Sequence, residues 1–248
     1  MSTNGISHRT ILDNFKPNTI KTIKFCLIAF VVVPFVIYTL SYIPFDDYST
    51  RPLISRMLRN QKTMFEYHSA LDATHPYSSS WYQWPTIVRP VWYYSRIVTG
   101  SYLAGGLREG ISAFGNPAVW WLGIPAAVFM VILLIRSVVK EKSIDKTAFF
   151  LLVGYMAQYL PWFFVTRITF IYHYFPSVVF VVLMIAYSLM HLKKILPKKV
   201  FITTLIVYGL IAFGLFVLFY PVLSGTPVEA EFVDKYLRWF DGWVLTSQ

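Results

Sequence analysis

Long apolar runs broken by short basic segments dominate this chain. Five stretches lack Asp, Glu, Lys and Arg: Phe25–Phe45, Gly110–Ile135, Thr147–Thr166, Ile168–Leu192 and Val200–Val228. Each is long enough to cross ~30 Å of hydrocarbon, which takes about 20 helical residues. Only Arg167 separates the third from the fourth, and a single helix across both would overrun the bilayer, so a tight turn is expected there. The expected organisation is a segment 1–24, a span 25–45, a loop 46–109, four spans within 110–228 and a tail 229–248.

Within the loop, Ile54, Met57, Leu58, Gln61, Phe65, His68 and Leu71 recur at helical spacing, with Arg56, Arg59, Thr63 and Glu66 on another face. This predicts an amphipathic helix in the membrane interface. The tail predicts a smaller one, with Phe232, Tyr236, Phe240 and Trp243 on one side. Pro85 and Pro90 interrupt helix between them, leaving an ordered aromatic and cationic surface. Pro161 and Pro176 are expected to kink their helices.

Composition supports an all-α integral membrane protein. Of 248 residues 56% are hydrophobic and 14% charged, against about 25% charged in soluble chains. The net charge of +10 is spread over the ends of apolar runs, which argues against nucleic acid as a partner. Lys140, Lys142, Lys146, Lys193, Lys194, Lys198 and Lys199 fall on the same side as the amino terminus, which puts that terminus inside and the carboxy terminus outside. The single cysteine, Cys26, excludes an intramolecular disulfide and any cysteine metal cluster. No apolar run carries an interior Asp or Glu, which disfavours an ion-coupled transporter.

Candidate chemistry sits beside these runs. Arg89 and Arg96 have the donor fork that suits a lipid phosphate, against the alternative of arginines snorkelling beside a tryptophan belt. Arg167 and His173 flank the expected turn on the outer side, where a guanidinium offsets phosphate charge and an imidazole exchanges protons. Their alternatives are a membrane-end anchor and a satisfied bundle histidine. His75, Trp81, Tyr82, Trp84 and Tyr172 are candidates for lining a sugar or acceptor cavity, or for contacts that stabilise the loop. Asp46 and Asp47 read as a solvated turn.

Several of these motifs occur together in one order: His75-Pro76-Tyr77, Ser78-Ser79-Ser80-Trp81, Trp84-Pro85, Arg89-Pro90, Trp92-Tyr93-Tyr94, Gln158-Tyr159-Leu160-Pro161-Trp162 and Arg167 through Pro176. In this the chain resembles the carboxy-terminal membrane domain of the polyprenyl-phosphate-mannose (dolichyl-phosphate-mannose) protein O-mannosyltransferases. The resemblance implies a C-superfamily glycosyltransferase scaffold that moves mannose from a polyprenyl-phosphate donor to Ser or Thr hydroxyls of an acceptor protein. It also implies a divalent metal in some members; no cofactor is assigned from the residues themselves. The family's acidic first outer loop has no counterpart here, so no catalytic residue is assigned and a separate chain is the expected source of the missing amino-terminal helices. The alternative is a non-catalytic subunit that binds polyprenyl-phosphate lipid or a partner protein. The loop is too short for the domain eukaryotic members insert, which points to a bacterial plasma membrane, with the endoplasmic reticulum as the location in a eukaryote.

Overall fold

A computed structural model describes residues 19–44, 52–70, 73–98 and 106–246. Asp46 and Asp47 lie outside the described residues, as do the amino-terminal cations Arg9 and Lys16. The chain divides into two compact units, Met1–Leu71 and Asp72–Gln248. Five helices are long and apolar enough to cross a membrane, one in the first unit and four in the second.

In the first unit, helix α1 runs from Thr19 to Leu40. A π turn at Ile28–Val32 precedes Pro34 and gives its ring room in the helix, where it removes a donor. Helix α2, Leu53–Ser69, is the expected amphipathic helix. Its Met57 is buried, with the sulfur 3.2 Å from the Thr39 hydroxyl. Asn60 donates to the Tyr42 hydroxyl at 3.3 Å, and Gln61 donates to that of Tyr38. These contacts hold α2 against the end of α1 and leave Ile54, Leu58 and Phe65 exposed in a stripe along one flank.

The second unit begins with a loop and then a β-hairpin. Strand β1, Val91–Val98, pairs antiparallel with β2, Leu107–Ala113, through a register shift between Trp92 and Tyr94. The two-residue strand β3, Val228–Glu229, adds to the far side of β2, giving the order β1-β2-β3. The second apolar run was expected to be helical from Gly110, but residues 110–113 are strand and helix α3 spans Pro117–Val139. Hydropathy cannot tell an apolar strand from the start of a span. What sets the boundary is Asn116, whose carbonyl oxygen accepts from the Ala118 amide at 3.0 Å, followed by Pro117 at a position that needs no donor.

Helix α4, Lys146–Tyr159, continues as a 3₁₀ turn over Leu160–Phe164, because Pro161 supplies no amide to extend the α-helix. The chain reverses around Arg167, as expected from the length of the combined apolar run. A second 3₁₀ turn, Ile171–Tyr174, leads into helix α5, Phe175–Ile195. Pro176 lies in the first turn of α5, where it starts the helix instead of kinking it. Helix α6 spans Lys198–Ser224 and ends at Gly225, whose φ of 78° is the left-handed cap a glycine accepts.

Close backbone approach holds α3, α4 and α5 together. A Cβ on Gly123 of α3 would lie 2.5 Å from Val181 of α5, and one on Gly154 of α4 would lie 2.1 Å from the Phe180 ring. At the lysine-rich end, Asp145 caps α4 by accepting from the Thr147 and Ala148 amides, and it also accepts the Tyr187 hydroxyl of α5 at 2.9 Å. One carboxylate thus fixes a helix start and a helix pair. Asn116 does similar work near the other end, donating to the Ala212 carbonyl of α6 at 2.8 Å.

The tail departs from the expected helix. A short helix α7, Ala230–Phe232, runs on as a π turn through Leu237, and the chain beyond is irregular. Its buried residues are Val233, Leu237, Trp243 and Leu245, whereas Tyr236 and Phe240 are exposed. The tail crosses β2 where Gly110 gives it room, since a Cβ there would lie 2.5 Å from the Leu245 carbonyl oxygen.

Gly154→Ala is expected to cost about 1–3 kcal/mol through overpacking against Phe180. Gly209→Ala, with nothing within 4 Å of the added methyl, is the control. Thermal unfolding of the two variants in the same detergent should lower the midpoint for the first and leave it unchanged or raised for the second.

Candidate functional site

The site is built where the loop before β1 meets the turn between α4 and α5. It starts at His75, whose carbonyl accepts from the Ser78 amide at 3.0 Å and the Ser78 hydroxyl at 2.8 Å, closing a turn around Pro76. The Ser79 amide then donates to the Thr169 carbonyl at 2.9 Å, and the Thr169 hydroxyl returns a bond to the Ser79 carbonyl at 2.8 Å. Ser79 and Thr169 are both buried, so each polar group must find a partner inside the protein. The indole of Trp84, fully buried, also points its N–H at Ser79, 3.1 Å from the hydroxyl and 3.2 Å from the carbonyl.

The loop is pinned again on either side of this clasp. The Tyr159 hydroxyl of α4 donates to the Trp81 carbonyl at 2.9 Å. Further along, Ile87 adopts φ 57° while fully buried. A β-branched residue in that region is a conformational outlier costing about 1–3 kcal/mol. Its carbonyl accepts the Trp243 indole N–H of the tail at 2.6 Å, and Trp243 packs against Phe114, Phe219 and Trp239. The tail therefore holds the loop in a shape it would not adopt alone.

Between loop and turn lies a polar cavity of roughly 210 Å³, lined by Ser78, Ser79, Ser80, Gln83, Thr166, Arg167, Ile168 and Thr169. Arg167, half-buried, supplies its one charge. It sits between the last residue of one span, Phe164, and the first of the next, Ile171, which places the cavity at a membrane boundary.

The other candidates are distributed around this cavity. His173 is half-buried among rings, 5.9 Å from Trp84, 4.3 Å from Trp162 and 4.5 Å from Tyr172 between centroids. Its Nδ1 lies 3.1 Å from the Phe170 amide and 2.9 Å from the Phe170 carbonyl, and it does not line the cavity. Trp81 meets Tyr159 and Phe163 edge-on, and Tyr82 is exposed beside it. His75 meets the Phe170 ring at 5.1 Å, and Tyr172 stacks on Phe170 and faces Tyr93 of β1. Arg89 donates to the Pro76 carbonyl at 2.7 Å, bracing the ends of the loop.

Arg96 stands apart, on the hairpin, in an ion pair with Glu109 of β2 at 2.9 Å. Of the arginine candidates, Arg167 alone lines the cavity. Sequence reasoning quoted Ser78–Ser80, Gln83, Thr166 and Thr169 without naming them as site residues. The three consecutive serines, hydroxyl groups in a loop otherwise full of rings, were the available signal.

No Asp or Glu lines the cavity, and the described residues bring together no cluster of three or more His, Cys, Asp or Glu. The residues present therefore do not fit a divalent metal.

Comparison with known proteins matches residues 53–243 to the family described as the C-terminal four TMM region of protein-O-mannosyltransferase. The chain belongs to this family. Its relatives include protein O-mannosyltransferase 1 of Drosophila pseudoobscura pseudoobscura, 26% identical over 78% of this chain and 23% of the relative. Polyprenol-phosphate-mannose–protein mannosyltransferase of Mycolicibacterium smegmatis is 26% identical over 86% of this chain and 46% of the relative. The fold is similar to that of the Saccharomyces cerevisiae protein O-mannosyltransferase Pmt1-Pmt2 complex bound to the sugar donor, with a TM-score of 0.66 at 22% identity over 79% of this chain and 28% of that one. The chain spans about a quarter of the length of the Drosophila relative and under half that of the Mycolicibacterium one. The protein O-mannosyltransferase family thus includes the loop, hairpin, turn and tail described above.

The hairpin ion pair predicts a pH dependence. The Arg96 hydrogen bond holds the Glu109 carboxyl below its ordinary range, against a smaller opposing effect of desolvation. A carboxyl depressed on folding contributes stability that is present above its unfolded pKa and lost as the pH falls through the folded one. The difference in thermal midpoint between the native chain and Arg96→Gln should therefore be largest near neutral pH and shrink below about pH 4.

Proposed function

We propose that this chain forms the donor-lipid half of a protein O-mannosyltransferase site. In this reading Arg167 holds the phosphate of polyprenyl-phosphate-mannose, and Ser78, Ser80 and Gln83 meet the polar head. The observation that carries the reading is the placement of one guanidinium and several hydroxyls in a polar cavity between the ends of two spans. A lipid phosphate sits at that depth when its chain lies in the bilayer. Arginine's planar donor fork matches phosphate oxygens, and its charge offsets the negative charge that grows on the leaving phosphate.

The aromatic wall around Trp84, Trp162 and His173 packs the loop against the turn and keeps Arg167 beside Ser78–Ser80. His75, Trp81, Tyr82 and Tyr172 surround this region and are offered as the approach for sugar or acceptor. Arg89 serves by bracing the loop through Pro76. The carboxylate that would take the proton from an acceptor hydroxyl comes from outside the described residues, on another segment or a separate chain. The lysine-rich ends of α3–α6 face the cytoplasm and the cavity faces outward, in a bacterial plasma membrane.

Arg167→Ala, reconstituted in lipid nanodiscs, should bind polyprenyl-phosphate-mannose on the order of 10–100-fold more weakly, matching loss of a hydrogen bond to a charged group. Arg167→Lys should recover part of that affinity. Unchanged affinity in the alanine variant would leave Arg167 as a membrane-end anchor and end this reading.

A further inference from the structure

Strand β1 is the longest strand of the sheet and lies at its edge, and among the described residues no third strand pairs with its outer side. Edge strands expose a row of amide and carbonyl groups that another extended chain can match, and proteins usually blunt them with proline, charge or a cover. Here Val91–Val98 contains no proline, and its one charge, Arg96, is turned to account within the sheet by Glu109. Tyr93, Tyr94 and Ile97 are exposed large apolar side chains on alternate faces. The indole of Trp92 donates to the Tyr94 carbonyl at 2.8 Å, close to the register shift that twists the start of the strand.

The edge also adjoins the site already described. Tyr93 stacks against Tyr172 with ring centroids 6.4 Å apart, and Trp92 meets Tyr77 edge-on at 5.9 Å. A chain laid along β1 would run beside the loop and turn that form the polar cavity.

We propose that the outer edge of β1 docks an extended polypeptide as an added strand, and that this polypeptide is the acceptor; the second clause rests on the function proposed above. Main-chain pairing reads little sequence, so it would hold many unfolded segments in the same orientation, while Tyr93, Tyr94 and Ile97 offer apolar contact to alternate side chains. A folded partner could not match a bare strand edge in this way, nor could a lipid.

Amide hydrogen exchange of the purified chain in nanodiscs tests the proposal, with a synthetic Ser/Thr/Ala peptide and the same peptide N-methylated at alternate residues as probes. The unmodified peptide should slow exchange at alternate amides of β1, and the N-methylated one should bind on the order of tenfold more weakly, as expected for losing main-chain hydrogen bonds. Equal binding of the two peptides, or protection that spares β1, would overturn the edge as a docking site. Protection of β1 that grows with protein concentration and needs no peptide would assign the edge to a second copy and overturn it as well. Mannose transfer to a peptide that leaves β1 unprotected would remove this proposal and keep the function. Peptide pairing with β1 in a chain whose Arg167 has no part in donor binding would keep the edge and remove the function.

Discussion

The reciprocal bonds between Ser79 and Thr169 are the contact on which the rest of the site depends. They join a loop to the turn between two spans across ninety residues of sequence, and each is a buried polar contact whose loss would leave unpaired groups. Trp84 completes the clasp by donating to Ser79 while its ring fills the space beside Trp162 and His173. Without this clasp, Arg167 would end a helical hairpin with no opposing serines, and the cavity would have one wall. Its polar character follows from the same geometry, since the clasp spends the Ser79 and Thr169 groups on each other and leaves Ser78, Ser80 and Gln83 around the opening.

Two further constraints keep the clasp in place. Below it, the glycine contacts at Gly123 and Gly154 let α5 approach α3 and α4, so the turn that carries Thr169 is set by a rigid pair of crossings. Beside it, the tail holds Ile87 in a left-handed conformation through the Trp243 indole. Strain of this kind persists only where surrounding structure over-determines it, and here an aromatic cluster from β2, α6 and the tail does so. The site is thus assembled from segments far apart in sequence, each tied down by a polar bond inside an apolar setting.

The membrane character of the fold was legible in the sequence because it depends on run length and charge, both local properties. The turn at Arg167 followed from the same arithmetic. The hairpin was not read, although Val91–Val98 is rich in the β-branched and aromatic residues that favour strands; adjacent apolar runs drew Gly110–Ala113 into a span. The tail misled for a related reason. Its helical spacing at Phe232, Tyr236 and Phe240 is real, but burial is decided by Trp243 and Leu245, whose partners on β2 and α6 are over a hundred and about twenty residues away. Arg167 was found because a charge between spans stands out, whereas Ser78–Ser80 and Thr169 were passed over because hydroxyls carry no such signal until the fold brings them together. Arg96 carried the same chemical signal as Arg167, and only Glu109 across the hairpin separates their roles.

The clasp can be tested through one amide. Hydrogen exchange at Ser79, measured in the purified chain in lipid nanodiscs, should be slowed to the level of the buried α4 and α5 amides, and Thr169→Val should not by itself release it, since the Thr169 carbonyl remains as acceptor. Exchange at Ser79 as fast as at an exposed loop amide would show that the loop does not close on the turn, and the cavity built on that closure would not exist.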